Sequence, residues 1–196
     1  MKKFIQTTFV LLAINTSIMA QKGFDVKKEI TINVSAEKLW DMVGNGFVDV
    51  YKWSSNVDHA SGSGTAEFSG ATCSERSCDV NVKGFSKIHE KLVEYDEKQM
   101  VLAYEVMEGM PGFVTKAVNQ WTVVAIDENH SKLVMKAEFR SKGLMGSMMN
   151  GMMEKKMNQT LLTVLNDAKV FAETGMVSPA KRERMESLAK KMKQAA

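Results

Sequence analysis

Glu90, Tyr104 and Asn119 are polar residues on strand-like faces that are otherwise apolar: Glu90 alternates in phase with Ile88 and Leu92, Tyr104 with Leu102 and Val106, and Asn119 with Trp121. A few polar groups on an apolar surface suit the orienting of an amphipathic ligand. Each can equally be a satisfied core or rim residue. Proton transfer needs a positioned histidine or carboxylate. Of the three histidines, His130 sits in a predicted turn, and His89 lies on the strand face opposite Glu90. His59 precedes a Gly/Ser-rich stretch and, with Tyr51, Glu90 and Tyr104, completes the set that could move a proton. No nucleophile–base pair and no phosphate-binding loop stands out.

Sulfur is the other chemistry on offer. The chain has 16 methionines, and Met145, Met148, Met149, Met152, Met153 and Met157 crowd the start of a predicted helix. Thioethers are flexible and polarizable and make an adaptable apolar wall. The competing reading is Cu(I), which soft sulfur selects, because Met145, Met148, Met149 and Met152 group on one helical side. No Cys or His joins them, so no metal site and no cofactor is assigned. Cys73 and Cys78 flank a polar, turn-like Ser74-Glu75-Arg76-Ser77. In an oxidising compartment so close a pair is expected to form a disulfide.

The elements that must position these residues follow from periodicity. Val26 to Val34 alternate as a half-buried strand. Ser35 caps a short helix that carries Leu39, Trp40 and Val43 and ends near Gly44 and Gly46. A second short helix or turn carries Phe47 to Trp53, and residues 60–70 read as a loop or weak edge strand. A hairpin spans 84–106, and further strands fall at 117–126 and 133–140. From Leu144 to Glu173 the period becomes helical, with Met149, Met153, Met157, Leu161, Leu165, Ala168 and Ala172 as the apolar stripe. Gly175 stops that helix, and Ser178-Pro179 starts another whose apolar face is Met185, Leu188, Ala189 and Met192. The order predicts an α+β domain with segregated layers.

The ends carry separate signals. Met1-Lys2-Lys3, an apolar core over Phe9–Ile14 and Ala20 before Gln21 read as a signal peptide over residues 1–20, with a retained N-terminal anchor as the alternative. A binding domain over 21–176 and a basic amphipathic helix over 177–196 follow. The localisation expected is periplasmic or secreted. The formal charge of +3 falls to about +1 once Lys2 and Lys3 are removed, which argues against nucleic acid as a partner. Lys190, Lys191 and Lys193 make the last helix basic; contact with an anionic membrane surface is its functional reading, and a solvated face its plain one.

Several stretches resemble the SRPBCC superfamily of START lipid carriers, polyketide cyclase-like proteins and birch-pollen-allergen-like proteins. The hairpin does so through Gly84, Glu90-Lys91-Leu92, Tyr95-Asp96 and Leu102-Ala103-Tyr104; the opening does so through Val34–Trp40 and Tyr51–Val57. Ser54-Ser55 stands where that superfamily often has His-Pro, so no role passes to a histidine there. The resemblance implies a helix-grip fold, in which a curved antiparallel sheet wraps around a long C-terminal helix and leaves an apolar cavity. It implies a hydrophobic or amphipathic small-molecule ligand, lipid or polyketide-like. The expected wall is Trp53, Tyr104, Trp121, Met135, Phe139, Met149 and Met153, with Glu90 and Asn119 as polar contacts. The alternatives are a cyclase/dehydratase-type enzyme in the same cavity, marked by a buried Glu90 near His59, and a protein-interaction module, marked by a filled interior.

Overall fold

The computed structural model describes residues 22–82 and 84–195, so the expected leader lies outside the described residues. Seven strands form one antiparallel sheet in the order β1-β7-β6-β5-β4-β3-β2. They are β1 (Lys22–Ile32), β2 (Val57–Ser63), β3 (Glu75–Val82), β4 (Phe85–Asp96), β5 (Val101–Glu108), β6 (Val114–Ala125) and β7 (Ser131–Ser141). Helix α1 (Ala36–Trp40), a π-type turn (Asp41–Asn45) and a 3₁₀ turn (Phe47–Lys52) lie between β1 and β2. Helices α2 (Gly143–Thr174) and α3 (Pro179–Ala195) follow the sheet. This is the helix-grip arrangement: an antiparallel sheet on a long C-terminal helix, plus one more helix.

Local signals account for most of it. In β1, Phe24, Val26 and Ile32 are buried while Asp25, Lys27, Glu29 and Thr31 are exposed. Ser35 caps α1, its hydroxyl accepting from the Lys38 N–H at 3.3 Å. Gly175 ends α2 with φ 71°, a left-handed conformation that costs glycine little, and its N–H returns to Phe171 O at 2.8 Å.

One segment departs from expectation. Ser74–Ser77 is not a turn: β3 begins at Glu75, with Arg76 and Cys78 buried on one face and Ser77 exposed on the other. The expected Cys73–Cys78 disulfide is accordingly not formed, and both are buried free thiols. The Cys73 sulfur packs against Gly62, whereas Cys78 pairs with Ala60, two residues further along β2. That is a step of roughly 6–7 Å in an extended strand, against about 2 Å between bonded sulfurs.

Helix α2 is held mainly by its second half. Leu161, Val164, Leu165, Ala168 and Ala172 are buried, and the small alanines allow close approach to β1. Lys169 Nζ donates to Thr31 O at 2.8 Å and to Glu173 at 2.6 Å, and Glu173 accepts from Asn33 N at 2.8 Å. Its first half is looser: Leu144, Met145 and Met148 are exposed, and Met149, Met153 and Met157 half-buried.

Helix α3 does not dock through the apolar face read from the sequence, since Met185 and Met192 are exposed. Polar groups near its start hold it instead. Buried Asp167 on α2 accepts from the Ser55 N–H and hydroxyl, both at 2.7 Å, and from the Ser178 hydroxyl. Lys181 Nζ donates to Val57 O at 2.7 Å, and Arg184 pairs with Asp58 through Nε at 2.8 Å. Burial pushes the Lys181 ammonium below its usual range, with Asp58 and Asp167 opposing that shift.

Asp167→Ala strands the Ser55 and Ser178 donors and removes a counter-charge from buried Lys181. Urea unfolding should show a loss of roughly 3–5 kcal/mol, the usual result of breaking a buried charged network. A loss under about 1 kcal/mol, the worth of one ordinary hydrogen bond, would refute the latch.

Candidate functional site

Where the first half of α2 stands away from the concave sheet, a cavity of about 280 Å³ remains. Its wall takes residues from β3, β4, β5, β6, β7 and α2. Glu90, Tyr104, Asn119, Trp121, Met135, Met149 and Met153, all candidates from the sequence, stand on it. Two further candidates do not. Trp53 is sealed in the core beside Trp121, ring centroids 6.0 Å apart, and Phe139 stacks on Phe24 at 4.8 Å with the rings 13° from parallel. Both ride on elements that flank the cavity, but neighbouring rings absorb their faces.

The thioethers divide between two surroundings. Met149, Met153 and Met157 line the cavity, while Met145 and Met148 point to solvent. The four methionines grouped for copper thus do not share one environment.

The polar end of the cavity is a row across four adjacent strands. Arg76 on β3 is opposite Glu90 on β4, Glu90 is opposite Val106 near Tyr104 on β5, and Tyr104 is opposite Asn119 on β6. Arg76 and Glu90 are 3% and 2% exposed, which makes theirs a buried ion pair, with Arg76 Nε donating to Glu90 Oε2 at 2.7 Å. A buried charge persists only when paired and hydrogen-bonded. Arg76 Nη1 donates to the Phe47 carbonyl, and its guanidinium carbon sits 3.8 Å from the Phe47 ring centroid and 5.0 Å from that of Tyr104. The Cys78 thiol donates to the same Glu90 oxygen at 3.6 Å.

Burial works against the Arg76 charge, but the Glu90 carboxylate, with Cys78 and Tyr104 adding to it, outweighs burial and holds the guanidinium protonated beyond its ordinary range. Burial, reinforced by Glu90, raises the Tyr104 hydroxyl above its usual value. Burial pushes the Cys78 thiol up to about 12 against the pull of Arg76. Tyrosine and cysteine are therefore neutral hydrogen-bonding groups at neutral pH, not anions.

Arg76 and Cys78 were not singled out in the sequence. The available signal was alternation: Arg76, Cys78, Val80 and Val82 are in phase on the cavity wall, but the polar string Ser74–Ser77 masked it. The enzyme alternative placed His59 near Glu90. His59 instead projects from the outer face of β2, its ring 5.8 Å from that of Tyr51. His89 is also outside, between Ser77 at 3.0 Å and Glu75 at 3.1 Å. The histidine–Glu90 pair that would mark an acid–base enzyme is not assembled.

The Cys78 thiol at about 12 leaves roughly one molecule in ten thousand as reactive thiolate at pH 8. Iodoacetamide should leave Cys78 unmodified in the native protein at pH 8, and modification should begin only as pH climbs toward that value. The unfolded, unreduced chain should take two alkyl groups by mass. Two missing alkyl groups would restore the disulfide, and fast native labelling of Cys78 would contradict its burial.

Residues 23–169 match the family model described as polyketide cyclase / dehydrase and lipid transport. No curated protein sequence matches the chain. Solved structures share the fold at low identity. A START superfamily protein from Mycobacterium smegmatis is 17% identical with a TM-score of 0.65, covering 79% of this chain and 100% of its own. An aromatase/cyclase from a Streptomyces species is 14% identical with a TM-score of 0.64, covering 79% and 99%. A norcoclaurine synthase from Thalictrum flavum is 12% identical with a TM-score of 0.59, covering 76% and 96%. With the family model matched from β1 into the second half of α2, the chain belongs to the polyketide cyclase / dehydrase and lipid transport family of the SRPBCC superfamily.

Proposed function

We propose that the protein is an exported carrier that holds a hydrophobic or amphipathic small molecule, lipid or polyketide-like, in the cavity between α2 and the sheet. The observation that carries this reading is a cavity of about 280 Å³ with a mostly apolar wall and one polar end. That volume is near the lower end of the roughly 300–1,000 Å³ typical of ligand pockets. The methionines of α2 supply a wall that adapts to ligand shape. Burying ligand apolar surface supplies the drive, at roughly 25 cal/mol per Å² before the costs of binding. Export rests on the leader-like residues 1–20.

A second reading, a cyclase/dehydratase-type enzyme, is favoured by one observation: a carboxylate, Glu90, borders the cavity beside a guanidinium. The Streptomyces neighbour is an aromatase/cyclase, which keeps this reading in view. The interaction-module reading needed a filled interior, and the cavity removes that support.

Native mass spectrometry of the protein, purified without detergent from the periplasm or medium of its own cells, tests carriage and export together. The polypeptide mass should begin at Gln21, with an added mass that disappears on denaturation. Recovery of the chain only from the cytoplasmic fraction, with residues 1–20 retained, would sink export. A copper-sized addition would revive the methionine site. A bare chain from repeated preparations would sink stable carriage and move weight to the enzyme reading.

Membrane contact through α3 is the accompanying proposal. Met185 and Met192 are exposed on this helix, as are Lys190, Lys191 and Lys193, so apolar burial and charge attraction can act together. Vesicles rich in phosphatidylglycerol should co-sediment the protein at low salt, and replacing the three lysines by glutamate should abolish this. Equal recovery with neutral vesicles, or none with either, would remove the proposal.

A further inference from the structure

The polar end of the cavity is incompletely bonded in a specific way. Arg76 uses Nε for Glu90 and Nη1 for the Phe47 carbonyl, while both bonds to Glu90 end on Oε2. Among the described residues, Arg76 Nη2 and Glu90 Oε1 make none of these bonds, and the Arg76 side chain has one further hydrogen-bonding contact, with the Cys78 thiol. Neither is among the sealed side-chain polar atoms that lack a partner there, which are the indole nitrogens of Trp40 and Trp53. Both residues line the cavity, and Arg76 also borders a small void among Phe47, Trp53 and Tyr104. Each belongs to a charged side chain more than nine-tenths buried, where an unmade hydrogen bond is costly. A guanidinium donor and a carboxylate acceptor, on register-paired residues of β3 and β4, thus stand side by side and face the ligand.

Charge decides what can satisfy both. The pair is neutral as a whole. A ligand carboxylate reaching for Arg76 would lie against Glu90 Oε1, a like charge in a poorly solvated site. An ammonium would meet the guanidinium in the same way. Tyr104 and Cys78 are held neutral, so neither offers a compensating charge. Lys156 is also on the wall but already has an interaction of its own. An uncharged group that carries both a donor and an acceptor meets neither penalty. Its hydroxyl can donate to Glu90 Oε1 while a carbonyl, ether or second hydroxyl oxygen accepts from Arg76 Nη2.

Resting on the carrier reading above, we infer that the ligand's buried end is a neutral, hydroxyl-bearing oxygenated group on an apolar body, and not a carboxylate or an amine. The Arg76–Glu90 pair is then the specificity determinant of the site.

The test is displacement of an apolar fluorescent dye, 1-N-phenylnaphthylamine, from the full chain at pH 8 by three probes of one chain length. Monodecanoylglycerol offers hydroxyls and a carbonyl, methyl decanoate a carbonyl only, and decanoate an anion. The glycerol ester should displace dye at a concentration at least about tenfold below that of decanoate, and several-fold below that of methyl decanoate, because a site built for a hydroxyl penalises its absence. Glu90→Gln, checked for native circular dichroism, should narrow the gap to decanoate by removing the repelling charge. Decanoate binding as well as or better than the glycerol ester would overturn this inference and leave carriage standing. An unchanged gap in Glu90→Gln would overturn the role of the pair. Failure of the dye and all three probes to bind would overturn carriage itself and this inference with it. The probe series on the unaltered chain remains decisive if Glu90→Gln does not fold.

Discussion

The fold turns on a difference between the two halves of one helix. The second half of α2 meets β1 closely because Ala168 and Ala172 add little bulk there, and Lys169 and Glu173 tie it to backbone at the end of β1. The first half presents methionines and meets open space instead of the sheet. Close packing is the normal state of a protein interior, so a gap under one half of a helix persists only when the other half fixes the helix axis. The cavity follows from that lever.

The sheet supplies the polar end at a price in stability that the rest of the core must cover. Arg76 and Glu90 are withdrawn from water, and a buried pair contributes little net stability even with good geometry. The indole N–H groups of Trp40 and Trp53 are sealed without partners among the described residues, a cost of order 1–3 kcal/mol each. Trp53 and Trp121 pack with tilted rings, 6.0 Å between centroids.

The segment Trp53–Asp58 joins the pocket to the extra helix. Ser54, Asn56 and Val57 stand on the cavity wall, while Ser55, Val57 and Asp58 bond to Asp167, Lys181 and Arg184. The same short strand of chain therefore shapes the pocket with one set of atoms and anchors α3 with another. This explains why α3 is held near its N-terminal end and leaves Met185 and Met192 in solvent.

Much of the architecture was legible in local pattern. Period-two alternation in β1, β6 and β7, the Ser35 cap, the hairpin of β4 and β5, and the methionine-to-alanine stripe of α2 are each properties of a few neighbouring residues. They also place Glu90, Tyr104, Asn119 and Trp121 on inward faces without further information. β3 was lost because Ser74-Glu75-Arg76-Ser77 carries no local apolar signal; Arg76 is inward only because Glu90, fourteen residues away, neutralises it. The disulfide failed for the same reason, since strand extension is imposed by the neighbours β2 and β4. Phe139 and Trp53 have the right faces but the wrong neighbours, and His59 is on the outer side of a strand whose phase its glycine- and serine-rich sequence does not reveal. Sequence by itself determined the elements, their order and the faces of the regular strands, because those depend on periodicity. Tertiary structure decided which buried charges meet and where packing stops short, because both depend on partners distant in the chain.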